Sequence, residues 1–85
     1  VHGNGDHAAL WLTSLWRFES NGWPRTHLRA VSFPDPLARD DNAVPQPHRS
    51  SSAEQTARLA GHVRAFLAET GAPRLALVGN SRGGY

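Results

Sequence analysis

Gly79-Asn80-Ser81-Arg82-Gly83 is a Gly-x-Ser-x-Gly pentad that follows the apolar run Leu75-Ala76-Leu77-Val78 directly. A serine hydroxyl is a weak nucleophile, so serine hydrolases mount it on a tight strand-to-helix turn, where it projects beside a general base. Only small residues fit around such a turn. Gly79 and Gly83 stand where a side chain would collide with a neighbouring strand or helix, and Gly84 eases the same packing. Ser81 is therefore the expected catalytic nucleophile, with the following helix aiming its N-terminal end at the developing oxyanion. Composition supports serine by removing its competitors. The chain has no cysteine and no lysine, which excludes thiolate catalysis, Cys-type zinc sites, a Walker-type phosphate loop and a Schiff base.

Acyl transfer also needs backbone N–H groups aimed at the tetrahedral oxygen, usually one from the residue after the nucleophile and one from the turn before the first helix. Arg82 fills the first place. The glycine-rich turn Val1-His2-Gly3-Asn4-Gly5-Asp6 supplies the second, which puts Asn4 in the oxyanion hole beside Arg82, both acting through main-chain amides. The competing reading of Asn4 is a turn residue that simply tolerates left-handed backbone. His2, with Gly3, is expected to hold this turn in shape by a local hydrogen bond. His2, Asp6 and His7 do not match a recognised ligand spacing, so neither a metal nor another cofactor is expected. His27, His48 and His62 occur singly and read as surface or helix-face residues. Asp35, Asp40 and Asp41 read as a solvated loop, with a substrate entrance as the alternative.

These residues need elements to position them. Val1 reads as the end of a strand, and residues 8–20 as a helix whose apolar stripe holds Leu12, Leu15 and Trp16, with Trp11 and Phe18 alongside as core residues. Asp6 or His7 lies near its start, and Asn21-Gly22 supplies a left-handed stop. Residues 28–33 form an expected strand that ends at Pro34-Asp35-Pro36. The stretch 34–50 holds four prolines and no periodic apolar pattern, and reads as a long loop. Ser51-x-x-Glu54 is a capping box that opens a helix over 53–70, with Leu59, Val63, Phe66 and Leu67 on its buried face and Gly71 and Pro73 at its end. Residues 74–78 are the last expected strand. The resulting order, β-α-β-α-β, predicts an α/β fold with a parallel sheet and right-handed crossovers, its last strand ending at the turn that carries Ser81.

In these motifs and their order the chain resembles the N-terminal part of a serine hydrolase of the α/β-hydrolase superfamily, most closely the bacterial class 2 lipases and esterases. Val1-His2-Gly3 is similar to that family's oxyanion motif, Asn21-Gly22-Trp23 with Ala30-Val31-Ser32-Phe33 to its helix exit and next strand, and Glu69-Thr70-Gly71-Ala72 to its approach to the elbow. The resemblance implies an acyl-enzyme on Ser81 and a small-molecule ester or lipid as substrate. Asn80 stands where such lipases usually carry histidine, and an Asn-Ser pairing is also similar to that of hydrolases of this fold that cleave carbon–carbon bonds. A non-catalytic binding domain of the same fold is the third reading. Arg82 replaces a small or apolar residue. Its side chain is expected along the helix surface, the alternative being a positive charge beside the acyl pocket.

The superfamily places its acid and histidine after the nucleophile in the chain, so residues 1–85 are expected to be one part of a single domain that lacks triad catalysis when isolated. The absence of methionine and the length of 85 residues agree with that expectation. The formal charge of +2 comes from scattered arginines, which gives no support to nucleic-acid binding. No run of about 18 apolar residues predicts a transmembrane segment. Localisation stays open, and secretion follows only by analogy with class 2 lipases.

Overall fold

Ser51 ends an extended stretch (φ −79°, ψ 164°) and its hydroxyl accepts the Glu54 N–H at 3.2 Å, while the Glu54 carboxylate accepts the Ser51 N–H at 2.7 Å. Two otherwise orphaned donors are thereby satisfied at the start of a helix. Such is the entry to α2 (Ser52–Thr70) in the computed structural model, which describes residues 1–84. Gly71 ends α2 in the left-handed region at φ 68°, with its N–H on the Leu67 carbonyl. The other helix opens as a 3-10 turn over Ala8–Trp11, capped by the His7 ring through a 3.1 Å bond from the Ala9 N–H, and continues as α1 (Leu12–Ser20). Gly22, at φ 93°, turns the chain out of it. A second 3-10 turn spans Arg25–His27.

The sheet differs from expectation. Neither 28–33 nor 74–78 forms a strand, and the described residues hold two α-helices and one two-stranded parallel sheet, β1 (Leu37–Ala38) beside β2 (Arg49–Ser50). Both strands lie inside the stretch expected to be a loop. The β-α-β-α-β core of an α/β-hydrolase is therefore not the fold of this chain. The physical reason lies in pairing: a strand exists only through its ladder, and the segments 28–33 and 74–78 exchange no backbone hydrogen bonds with each other. Val1 bonds once each way with the 74–80 segment, its nitrogen donating to the Val78 carbonyl and its carbonyl accepting the Asn80 N–H at 3.1 Å. On the other side the Phe33 N–H goes to a His2 side chain rather than to a backbone partner.

With only a two-stranded sheet of two residues per strand beside them, the helices bury little. Phe33, 6 % exposed, is the one buried apolar side chain among the described residues, held between the rings of His2 and His62 at centroid distances of 5.2 and 5.8 Å. Trp16 and Phe18, expected in a core, are exposed, while Trp11 and Leu15 are half-buried. Leu59, Val63, Phe66 and Leu67 are likewise only half-buried. An apolar groove of about 700 Å³ remains between α1, α2 and the segments 28–31 and 72–78. Arg29 ties the 28–33 segment to α2 by pairing with Glu69 and lying 4.9 Å above the Phe66 ring. No helix among the described residues is long and apolar enough to cross a membrane.

The cap carries a pH signature. The Ser51 N–H, and then the Arg39 and Arg58 charges, hold the Glu54 carboxyl below its ordinary value of 4.5. A carboxylate whose pKa is lowered by folding adds stability that is complete above the unfolded value and is lost as pH falls through the folded one. In urea denaturation at pH 7, Ser51→Ala is expected to cost about 1 kcal/mol. Glu54→Gln is expected to flatten the loss of stability between pH 5 and pH 3 in the same assay, and an unchanged acid limb would contradict the cap's role.

Candidate functional site

Ser81 has a φ of 55°, a backbone conformation that L-residues rarely adopt. It opens a 3-10 turn, Ser81–Gly84, tied back by the Gly83 N–H on the Asn80 carbonyl at 3.0 Å. The turn is closed by backbone contact. A Cβ on Gly79 would lie 2.4 Å from the Gly83 carbonyl oxygen, and one on Gly83 would lie 2.4 Å from the Val1 oxygen and 2.5 Å from the His2 oxygen. Both positions admit glycine alone without movement of main chain. Gly84 has ordinary space by comparison, its nearest neighbour being the Gly79 oxygen at 3.9 Å.

The second glycine turn meets the first at Gly3. A Cβ on Gly3 would stand 3.1 Å from the Ser81 Cβ, 3.2 Å from the Asn80 oxygen and 3.1 Å from Asp6 Oδ2, so Ser81 and the turn before the first helix are in van der Waals contact. The turn itself is closed by the Asp6 N–H on the Gly3 carbonyl at 3.2 Å. His2 is 2 % exposed and braces it. Its Nε2 accepts the Phe33 N–H at 3.1 Å, which makes Nδ1 the protonated nitrogen that donates to the Gly3 carbonyl at 2.9 Å. Both ring nitrogens are thus committed to backbone, and His2 has no lone pair left for a metal or for Ser81.

The backbone N–H groups of Asn4 and Arg82 donate to no other described residue. Asn4 follows Gly3 and Arg82 follows Ser81 in the chain, so the two amides belong to the two turns that meet at Gly3 and Ser81. The Asn4 side chain is used otherwise: its Oδ1 accepts the Ala38 N–H at 2.7 Å. The Arg82 side chain does not lie along a helix surface as expected. It is half-buried and donates to the Pro36 carbonyl at 3.0 Å and to the Ser50 carbonyl at 2.8 Å. Pro36 and Ser50 lie outside the expected site because their contribution is a main-chain oxygen, which every residue has and no sequence pattern marks. Ser81 leads into the 3-10 turn Ser81–Gly84, and the helix expected after it lies outside the described residues.

The remaining expected residues are dispersed. His7 caps the first helix, His27 and His48 are exposed, and His62 stacks on Phe33. Asn80 is held by its backbone, through the Val1 and Gly83 bonds, and is otherwise exposed. Asp35 adopts φ 48°, and its carbonyl accepts the Ser50 hydroxyl at 2.7 Å. Asp40 bonds Gln46 and Asp41 bonds the Ala43 N–H, so both acids fold their own loop. The apolar groove lies on the side of the helices and does not include Ser81, Gly3 or Asn4 in its wall. No protein-family profile, curated protein or solved structure matches the chain.

Two substitutions at the turn should move stability in opposite directions. Gly83→Ala drives a methyl into backbone and is expected to cost about 1–3 kcal/mol. Ser81→Gly releases a positive φ worth about 1–2 kcal/mol, partly offset by the greater unfolded freedom of glycine, so a gain of about 0.5–1 kcal/mol is expected. Denaturation midpoints measure both, and destabilisation by Ser81→Gly would contradict the strained turn.

Proposed function

We propose that this chain carries the nucleophile and the oxyanion-binding part of a serine hydrolase that acts on carboxylic esters. The observation that carries the reading is Ser81 itself, a serine at positive φ on a turn that only glycines can surround, pressed against a second turn with an unbonded amide. Strain of this kind costs about 1–3 kcal/mol and is retained where it aims a side chain.

In the proposed reaction Ser81 Oγ attacks the ester carbonyl, and its proton passes to a histidine. The carbonyl oxygen, now negative, accepts hydrogen bonds from the Asn4 and Arg82 main-chain N–H groups. Collapse expels the alcohol, which takes the proton held by the histidine, and leaves an acyl-enzyme; water then attacks it, giving its proton to the histidine, which returns it to Ser81 as the acid is released. His2 cannot be the base, since both its nitrogens are bonded to backbone. The reading takes the histidine and its acid partner from beyond the described residues, because the resemblance is to serine hydrolases in which both follow the nucleophile. The ester class rests on that same resemblance. Carbon–carbon bond cleavage is the alternative tied to Asn80, and ligand binding without catalysis is the other.

In the complete protein, a fluorophosphonate probe is expected to label Ser81, identified by peptide mass, and Ser81→Ala is expected to abolish both labelling and p-nitrophenyl ester turnover. Labelling that persists in Ser81→Ala would move the nucleophile elsewhere, and a wild-type protein that is never labelled would reject the hydrolase reading.

A further inference from the structure

Two amides on separate elements can share one oxyanion only if the elements are held in register, and Gly3 against Ser81 is a contact of small groups about which the turns could rock. A second tether joins them. The Pro36 carbonyl oxygen accepts the Gly5 N–H at 3.1 Å from one turn and an Arg82 Nη1 hydrogen at 3.0 Å from the other. Two residues further along, the Ala38 N–H donates to Asn4 Oδ1 at 2.7 Å. The acceptor segment is itself fixed: β1 pairs with β2, the Arg39 N–H bonds the Ser50 carbonyl at 3.1 Å, and that same carbonyl takes an Arg82 Nη2 hydrogen. The Ser50 hydroxyl, 3.3 Å from Arg82 Nη1, is locked onto the Asp35 carbonyl. Arg82 makes no ion pair among the described residues, and the acceptors of its guanidinium are neutral oxygens on this one strap.

We propose that the Arg82 side chain is a positioning residue that acts through the 36–50 strap, clamping Pro36 and Ser50 so that the Asn4 turn and the Arg82 amide converge on one oxyanion. The role rests on the hydrolase reading of Ser81. It also accounts for an arginine beside the nucleophile: its planar fork places separate nitrogens on two carbonyls, where a lysine would bring one nitrogen to both.

The test compares wild-type, Arg82→Met and Arg82→Lys in the complete protein, by probe labelling, ester kinetics and amide hydrogen exchange. In Arg82→Met, Ser81 is expected to stay labelled in full at the end point, kcat to fall about 10- to 100-fold with KM within twofold, and exchange at Gly5 and Ala38 to rise at least about tenfold. Arg82→Lys is expected to recover part of kcat. If Arg82→Met keeps kcat within twofold, or leaves exchange at Gly5 and Ala38 unchanged, the positioning role is overturned while labelled Ser81 leaves the hydrolase reading standing. A wild-type protein that the probe never labels overturns the hydrolase reading and the positioning role together.

Discussion

Main chain packed directly on main chain holds this molecule's two glycine turns together. At Gly83 the Val1 and His2 carbonyls come so close that a methyl group has no room, and at Gly79 the chain folds back on Gly83 in the same way. Such contact is possible only where the approaching residue has no side chain. Everything proposed for the site depends on it: Ser81 takes its positive φ because the chain must reverse within that space, and the turn that holds Asn4 meets the serine at Gly3, where no side chain intervenes.

Around this contact the polar side chains act as braces. His2 uses one nitrogen on Gly3 and the other on Phe33, so a single buried imidazole joins the turn to the end of the 28–33 segment. Asn4 and Arg82 reach from opposite turns to the 36–50 strap. Hydrogen bonds to buried backbone oxygens are worth little net when made, but leaving such a group unpaired costs about 1–3 kcal/mol. That asymmetry favours one arrangement of the strap. The apolar side of the molecule is the opposite case, with tryptophans and leucines lining an open groove and no single arrangement enforced.

Local signals were legible in the sequence, and long-range ones were not. The Ser51–Glu54 box and the left-handed glycines at 22 and 71 mark helix ends through bonds within a few residues, and both helices lie close to where those signals put them. Expected strands at 28–33 and 74–78 failed because apolar patterning cannot say whether a neighbour completes a ladder, and these two segments do not pair with each other. Conversely, Leu37–Ala38 and Arg49–Ser50 pair although prolines surround them, since Arg49 and Arg39 supply bonds across the gap. For the site, glycine spacing pointed to the turns, whereas the destination of the Arg82 side chain, 46 residues away at Pro36, left no local trace.

Catalysis at Ser81 stands or falls on geometry: the Asn4 and Arg82 amides must converge on the oxygen that becomes negative when the serine attacks. A crystal structure of the complete protein carrying a phosphonate adduct on Ser81 measures this most directly, because the phosphonyl oxygen takes the place of the oxyanion. That oxygen is expected within about 2.7–3.1 Å of both main-chain nitrogens, with the Pro36 and Ser50 contacts of Arg82 intact. An adduct whose oxygen points to solvent, or is held by other groups, would contradict the proposed oxyanion site.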